Sequence, residues 1–226
     1  MAWWEPLEPL QPPLWRDRQQ AGVALAGRLH DWQGHPEALV IGLPRGGVVV
    51  AAAVAAALGL PLASWAVRKL AHPGAPELAV GAIAPGGVLL WNEPYLQQLH
   101  LEPDLRRRLI HEQDQELHRR QRLYGDPALS SLRGRPLLVV DDGVATGLSV
   151  RAALESLRQG SPSSLVLAVP VIDRQVLPRL QPLVDQLLAL AVVDDLRAVG
   201  QWYEQFEPVA DQRVLELLAA GRQLQR

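Results

Sequence analysis

The 226-residue sequence contains no cysteine, and Lys69 is the single lysine among its 22 basic residues. The absence of cysteine excludes disulfides, cysteine nucleophiles and thiolate metal sites, and it is typical of a reducing compartment, so we expect a cytoplasmic protein. With 24 acidic residues the formal net charge is −2, so no overall positive field attracts nucleic acid or an anionic membrane. Hydrophobic residues make up 48% of the chain and charged residues 20%, which indicates a globular protein rather than a disordered one.

The sequence also lacks a targeting signal and an uninterrupted membrane-spanning run. Its first residues carry Glu5 and Glu8 where a signal peptide needs positive charge, and prolines interrupt the apolar positions. We expect residues 1–13 to form an irregular arm and residues 14–226 to form a single domain. The uncharged stretch 46–67 approaches the length that spans a bilayer, but Gly59 and Pro61 divide it. It therefore predicts a buried helix followed by a buried strand.

Short apolar runs rich in Val, Ile and Leu alternate with helical patterns along the chain. The predicted strands cover residues 38–43, 62–67, 136–140, 165–169 and 187–193. The predicted helices cover residues 15–32, 104–124, 149–159 and 211–220, besides the one that follows Gly47. This alternation predicts an α/β fold with a parallel sheet that is covered on both faces. Residues 80–84 and 88–91, joined through Pro-Gly-Gly, predict a hairpin.

The most informative motif is LLVVDDGVATGLS at residues 137–149, where a buried strand ends in two acids and a small-residue loop enters a helix. Ligands bind at the carboxyl ends of parallel strands. Asp141 and Asp142 could accept hydrogen bonds from vicinal hydroxyls or from water on a metal ion. The backbone N–H groups of residues 145–149 at the helix start form an anion site, to which Thr146 and Ser149 add hydroxyl groups. A mere helix cap requires one acid and leaves the following residues unexplained.

Two further segments carry cationic or anion-accepting groups. In LPRGGV at residues 43–48, Gly46 and Gly47 let main-chain N–H groups approach an anion and Arg45 can add a bidentate grip, although Gly-Gly before a helix is also a common tight connection. Arg68 and Lys69 follow the next predicted strand. In a chain that otherwise uses arginine, a lone lysine there suggests that a compact point charge is needed.

The motif at residues 137–149 resembles the phosphoribosyl pyrophosphate (PRPP) signature of the type I phosphoribosyltransferases. IGLPRGGV, VRKL with PELAVGAI, and AVGQWYE extend the likeness to one bacterial branch of predicted phosphoribosyltransferases. The resemblance implies a parallel five-stranded central sheet flanked by helices, a hairpin lid at about residues 69–92 and a small C-terminal hood at about residues 194–226. It implies a Mg²⁺-dependent enzyme that transfers ribose 5-phosphate from PRPP to a nitrogenous small-molecule acceptor and releases pyrophosphate.

The resemblance also implies a role for each candidate residue. Lys69, Asp141 and Asp142 would be catalytic, and the two acids would hold Mg²⁺ directly or through water. The 5-phosphate would bind Ala145, Thr146, Gly147, Leu148 and Ser149. Pyrophosphate would bind Arg45, Gly46, Gly47, Arg68 and Lys69, with a cis peptide around residues 44–46. Trp202 and Tyr203 would stack on the acceptor, although an aromatic plug of the core or a dimer contact is an equal alternative.

Several alternatives stay open at this point. A non-catalytic protein that senses PRPP or a nucleotide, or a hydrolase acting on PRPP, would use the same donor site. The arginines at 106–108 and 119–122 alternate with acids, which is typical of a solvated helix face rather than a nucleic-acid site. His111 and His118 lie seven residues apart on one helix, too far for a shared metal ion. The acceptor and a homodimer are not determined by the sequence.

Overall fold

The computed structural model describes residues 10–99 and 101–223, apart from the side chains of residues 76–78, 222 and 223. Most of the predicted N-terminal arm, including Trp3 and Trp4, lies outside the described residues, and residues 10–13 carry neither helix nor strand. The described chain has eight strands: β1 Leu39–Gly42, β2 Leu62–Ser64, β3 Arg68–His72, β4 Ala75–Ala84, β5 Val88–Trp91, β6 Pro136–Val140, β7 Ser164–Asp173 and β8 Gln186–Val193. Its α-helices are α1 Arg18–Ala26, α2 Gly46–Leu58, α3 Glu93–Leu99, α4 Pro103–Tyr124, α5 Leu148–Arg158, α6 Leu177–Leu180 and α7 Asp211–Gln223.

The central sheet has five parallel strands in the order β2-β1-β6-β7-β8. Successive side chains of β6 point to opposite faces, so Leu138 and Val140 pack with residues of α2 and α7 while Leu137 and Val139 pack with residues of α5. Both faces are thus buried, which explains the continuous apolar runs of the sequence. The register pairs Gly42 of β1 with Val140 of β6, so the loops after these two strands leave the sheet side by side.

The helix predictions are correct in kind, with shifts at the ends. The first helix spans only Arg18–Ala26, because Asp17 caps it by accepting a hydrogen bond from the backbone N–H of Gln20, and a short 3₁₀ turn follows at His30–Trp32. The uncharged stretch forms α2 and β2, and α2 ends at Gly59 in the left-handed conformation. Among the described residues, no helix combines the length and apolar character needed to cross a membrane.

A second sheet contains β3, β4 and β5 in antiparallel order. The predicted hairpin of β4 and β5 is confirmed, with Gly86 and Gly87 at positive φ in its turn. In the proline- and glycine-containing segment that follows Lys69, β3 continues to His72 and β4 begins at Ala75. Two register shifts in the β3–β4 pairing accommodate the irregular sequence, so proline and glycine mark a tight turn rather than a loop.

Candidate active site

The loops that follow β1 and β6 meet at the carboxyl edge of the central sheet. A side chain on Gly47 would place its Cβ 2.7 Å from Oδ1 of Asp141, and one on Gly46 would overlap Oδ2 of Asp142. The paired glycines are therefore required by the close approach of the two carboxylates. Asp141, Asp142 and the Gly-Gly loop thus form one group, as the sequence predicts for loops that leave the same edge of a parallel sheet. The peptide bond between Pro44 and Arg45 is cis, which confirms the expectation for this loop.

Asp141 and Asp142 form a carboxylate pair in a largely buried environment. The backbone N–H of Asp142 donates to Oδ1 of Asp141 over 2.9 Å. Burial, and then the neighbouring Asp142 carboxylate, raise the pKa of Asp141 well above its ordinary value, and burial also raises the pKa of Asp142. The positive charge of Lys69 lowers both pKa values in part. Two acids in this arrangement are stabilised by any ligand that supplies positive charge or hydrogen-bond donors.

Arg18 is a site residue that the sequence analysis missed. Its Nε donates to Oδ2 of Asp142 over 2.7 Å, and the side chain is only 11% exposed. Its Nη1 donates to the backbone oxygen of Glu207 over 3.1 Å, and its guanidinium lies 3.6 Å from the ring centroid of Phe206. Arg18 precedes Asp142 by 124 residues in the sequence. No local pattern indicates such a contact, since it depends on how α1 packs against the sheet edge.

The aromatic segment after β8 supports the acids from one side. Trp202 is 7% exposed and Tyr203 is 5% exposed, and the Tyr203 hydroxyl donates to the backbone oxygen of Asp142 over 2.6 Å. The Tyr203 ring lies 5.6 Å from that of Trp15 and stacks on Phe206 at 5.0 Å. Contact of Trp202 and Tyr203 with an acceptor stays a prediction, and the burial of both rings does not favour it. Phe206, which is partly exposed, lies nearer the solvent.

The loop at residues 143–149 has the form of an anion site. Val144 pairs with β7 through two backbone hydrogen bonds of 2.9 Å, which fixes the loop beside the sheet. Gly147 precedes α5 with φ of 74°, a conformation that favours glycine. The hydroxyl of Ser149 is buried and has no hydrogen-bond partner, the one such side-chain atom in the described part of the chain. A buried hydroxyl without a partner is costly, so a ligand that accepts a hydrogen bond from it would be favoured.

The other members of this loop differ in what they can offer. Thr146 is exposed, so its hydroxyl is accessible from solvent. Leu148, the first residue of α5, packs its side chain against the small cluster of Ala82, Ala84 and Ala152, which leaves only its backbone N–H to bind an anion. Ala145 packs against the aromatic cluster around Tyr203. The first-turn N–H groups of α5, which have no partner within the helix, are the donors expected for an anion.

The structure separates the two cations that the sequence analysis assigned together. Because successive side chains of a strand point to opposite faces, Lys69 is close enough to Asp141 and Asp142 to affect their pKa values, while Arg68 turns to α4. Nε and Nη2 of Arg68 donate to Oε1 of Gln113 over 2.9 and 2.7 Å. Arg45 also has a partner outside the carboxylate pair, because its Nη1 lies 3.6 Å from Oδ1 of Asp211.

Known proteins confirm the resemblance that these motifs suggested. The family model of the phosphoribosyl transferase domain matches residues 17–180, which include both loops of the site. The chain belongs to this family. Two proteins of Mycobacterium tuberculosis, from strains CDC 1551 and H37Rv and provisionally named phosphoribosyl transferases, are 38% identical over 206 residues, which cover 91% of this chain. The match covers 46% of their length, so this phosphoribosyl transferase domain spans about half of the curated relatives it matches.

A crystal structure of a Thermus thermophilus protein shares the fold of this phosphoribosyl transferase domain. It is 39% identical, has a TM-score of 0.70 and covers 91% of this chain and 98% of its own. The predicted family and the five-stranded parallel sheet are therefore confirmed. The roles of the individual residues stay predictions, as do the boundaries of the hairpin lid and the hood.

Proposed function

We propose that this phosphoribosyl transferase domain transfers ribose 5-phosphate from PRPP to a nitrogenous acceptor and releases pyrophosphate. One observation carries the proposal: the carboxylate pair lies at the same sheet edge as an anion loop whose Ser149 hydroxyl is buried without a partner. A ribose 5-phosphate presents the two complementary groups, vicinal hydroxyls for the carboxylates and a phosphate for the loop. Membership of the family supports the transfer chemistry.

The chain's own residues supply binding and electrostatic stabilisation. Asp141 and Asp142 would accept hydrogen bonds from the ribose hydroxyls, while the first-turn N–H groups of α5 and the Ser149 hydroxyl would hold the 5-phosphate. Lys69, exposed and close to the acids, would offset the negative charge that grows on pyrophosphate as its bond to C1 breaks. An acceptor nitrogen would then bond to C1 from the opposite side. Catalysis of this kind rests on positioning and on charge stabilisation.

The carboxylate oxygens of Asp141 and Asp142 also fit a magnesium ion that the substrate helps to bind. No group of three or more His, Cys, Asp or Glu side chains able to hold a metal occurs among residues 10–99 and 101–223. Mg²⁺ is commonly bound by one or two carboxylates together with substrate phosphates and water, and two neighbouring acids match that pattern. We propose Asp141 and Asp142 as the residues that would hold Mg²⁺, directly or through water. When bound, the ion would neutralise part of the charge of the pyrophosphate group.

Titration calorimetry with Mg²⁺ and PRPP, followed by assays of pyrophosphate release with a panel of nucleobases, tests this function. We expect binding and acceptor-dependent release. Binding without release for any acceptor would indicate a PRPP sensor, and release without an acceptor would indicate a hydrolase. Lys69→Ala should lower turnover more than donor affinity, because the charge that Lys69 offsets develops in the transition state. An equal loss of turnover and of donor affinity would contradict that role. Lys69→Arg, which keeps the positive charge, is the control variant.

A further inference from the structure

Asp142 is fixed by two residues that lie far from it in the sequence. Its Oδ2 accepts the 2.7 Å hydrogen bond from Nε of Arg18, and a Cβ on Gly46 would lie 2.8 Å from that same Nε. Its backbone oxygen accepts the 2.6 Å hydrogen bond from the Tyr203 hydroxyl. The side chain and the main chain of this acid are therefore both held from outside the motif at residues 137–149.

Arg18 and Tyr203 are joined to each other through Phe206. The guanidinium of Arg18 lies 3.6 Å from the centroid of the Phe206 ring, and this ring stacks on that of Tyr203 at 5.0 Å. Nη1 of Arg18 also donates to the backbone oxygen of Glu207, the next residue along the chain. Arg18, Tyr203 and Phe206 thus form one connected group, the Asp142 frame, which links the start of α1 to the aromatic segment after β8.

One oxygen of each acid in the carboxylate pair is left for a ligand. Oδ1 of Asp141 accepts from the backbone N–H of Asp142, and Oδ2 of Asp142 accepts from Arg18. Within residues 10–99 and 101–223, the second oxygen of each carboxylate accepts no hydrogen bond from another residue. Because the Ser149 hydroxyl is the one fully buried polar side-chain atom without a partner in that part of the chain, these two oxygens reach solvent. Two neighbouring acceptor oxygens match two neighbouring hydroxyls of a sugar.

The frame has the chemistry needed to fix a carboxylate before a ligand arrives. Ordering a side chain during binding costs affinity, and residues that hold the binding group beforehand remove that cost. Arg18 suits this task, because a planar guanidinium donates in fixed directions and stacks on a ring, which the amine of a lysine cannot do. The Tyr203 hydroxyl holds the backbone at the same residue, so the carboxylate is fixed at both ends.

We propose that the Asp142 frame positions the Asp142 carboxylate for the vicinal hydroxyls of a ribose phosphate. Arg18, Tyr203 and Phe206 are then positioning residues, which act on the donor through Asp142. The identity of this ligand rests on the proposed function. The aromatic segment after β8 serves the donor in this way without contact between Tyr203 and an acceptor.

Titration calorimetry with ribose 5-phosphate and with inorganic phosphate, in a buffer that contains a chelator, tests this role. Tyr203→Phe removes only a hydroxyl, and Arg18→Lys keeps the positive charge. We expect each to weaken ribose 5-phosphate binding roughly three- to tenfold, the value of one hydrogen bond. Inorganic phosphate should bind every variant equally, because it needs only the loop at the start of α5. In an Asp142→Asn background the same two substitutions should change ribose 5-phosphate affinity less than about twofold.

A second buried pair of the same residue types provides matched controls. Arg120 is 12% exposed, close to the 11% of Arg18, and its Nε donates to Glu116 over 2.8 Å. Tyr124 is 1% exposed, and its hydroxyl donates to Asp211 over 2.7 Å. We expect Arg120→Lys and Tyr124→Phe to bind ribose 5-phosphate as tightly as the wild type does, even where they lower the melting temperature.

The pattern across ligands separates positioning from stability. If the frame only stabilises the fold, Tyr203→Phe and Arg18→Lys lower the melting temperature but bind ribose 5-phosphate as tightly as the controls, which overturns the proposal. An equal loss of affinity for ribose 5-phosphate and for inorganic phosphate also overturns it, because the hydroxyls would then play no part. Tyr203→Phe keeps the test available if Arg18→Lys fails to fold.

The wild type distinguishes failure of this role from failure of the proposed function. A wild type that binds ribose 5-phosphate no more tightly than inorganic phosphate contradicts the proposed function and this role together, since the carboxylate pair would then not bind the hydroxyls. Tighter binding of ribose 5-phosphate by the wild type, with unchanged affinity in both frame variants, contradicts the positioning role alone.

Discussion

The ion pair between Arg18 and Asp142 makes a measurable prediction about the candidate site. The two side chains are 11% and 16% exposed, so Arg18→Ala would leave a carboxylate in a largely buried environment without its nearest cation. Removing one partner of a buried pair costs about 3 to 5 kcal/mol. Because both groups keep some exposure, we expect a loss near the lower bound, about 3 kcal/mol, which for a chain of this size lowers the melting temperature by roughly 6 to 12 °C.

Thermal and urea unfolding in a buffer with a chelator would measure this loss. Arg16→Ala is the matched control, because Arg16 is 62% exposed and its ion pair with Asp17 should contribute no more than about 1 kcal/mol. In an Asp142→Asn background, Arg18→Ala should cost about 1 kcal/mol, since no buried charge is then left unpaired. The reasoning is refuted if Arg18→Ala destabilises the protein no more than Arg16→Ala, or if its cost is the same in both backgrounds.

Two further substitutions test other parts of the site, and a third tests Asp126, a buried acid outside it that accepts hydrogen bonds from the Ser64 hydroxyl and the backbone N–H of Ala66. Gly46→Ala should abolish high-affinity PRPP binding, because the added methyl group would displace Oδ2 of Asp142. Gly27→Ala is the control and should bind PRPP normally, because its Cβ would lie 3.4 Å from the nearest atom, the backbone oxygen of Ala24. Calorimetry distinguishes the two variants. Ser149→Ala should leave the unfolding free energy unchanged or higher, since it removes a hydroxyl without a partner, and should weaken PRPP binding roughly tenfold; parallel affinity and stability losses would contradict this. Burial raises the pKa of Asp126 from 3.8 to about 6, so the stability that this group contributes at low pH is lost as the pH rises through that window. Asp126→Asn should remove about 2 to 3 kcal/mol of the pH dependence of the unfolding free energy, measured by urea unfolding. An unchanged dependence of the unfolding free energy on pH would contradict this assignment.

The sequence predicts those features that depend on local patterns. The strand, acid pair and small-residue loop at residues 137–149 are contiguous, so their order alone indicates where β6 ends and α5 begins. The hairpin of β4 and β5 follows from two short apolar runs and a Pro-Gly-Gly turn. The proximity of the Gly-Gly loop to Asp141 and Asp142 follows from the rule that ligand sites gather at the carboxyl edge of a parallel sheet.

Contacts between distant segments required the structure. Arg18 lies in a helix whose local pattern shows only amphipathic spacing, and its contact with Asp142 depends on the packing of α1 against the sheet. Arg68 and Lys69 are adjacent in the sequence, but the strand that contains them places their side chains on opposite faces. The arginines of α4 alternate with acids as on a solvated helix, and only the position of Asp211 at the start of α7 shows that they adjoin the loop after β1.

The most direct measurement of the central claim is Mg²⁺-dependent PRPP binding by the Asp141→Asn/Asp142→Asn variant. Asp194→Asn/Asp195→Asn is the control, because these adjacent acids are 77% and 69% exposed and lie outside the proposed site. We predict that the wild type and the control bind PRPP in the presence of Mg²⁺, and that the variant at 141 and 142 remains folded but binds roughly a hundredfold more weakly, for two lost charge-assisted hydrogen bonds. Undiminished PRPP affinity in that folded variant would contradict the assignment of the carboxylate pair to the donor.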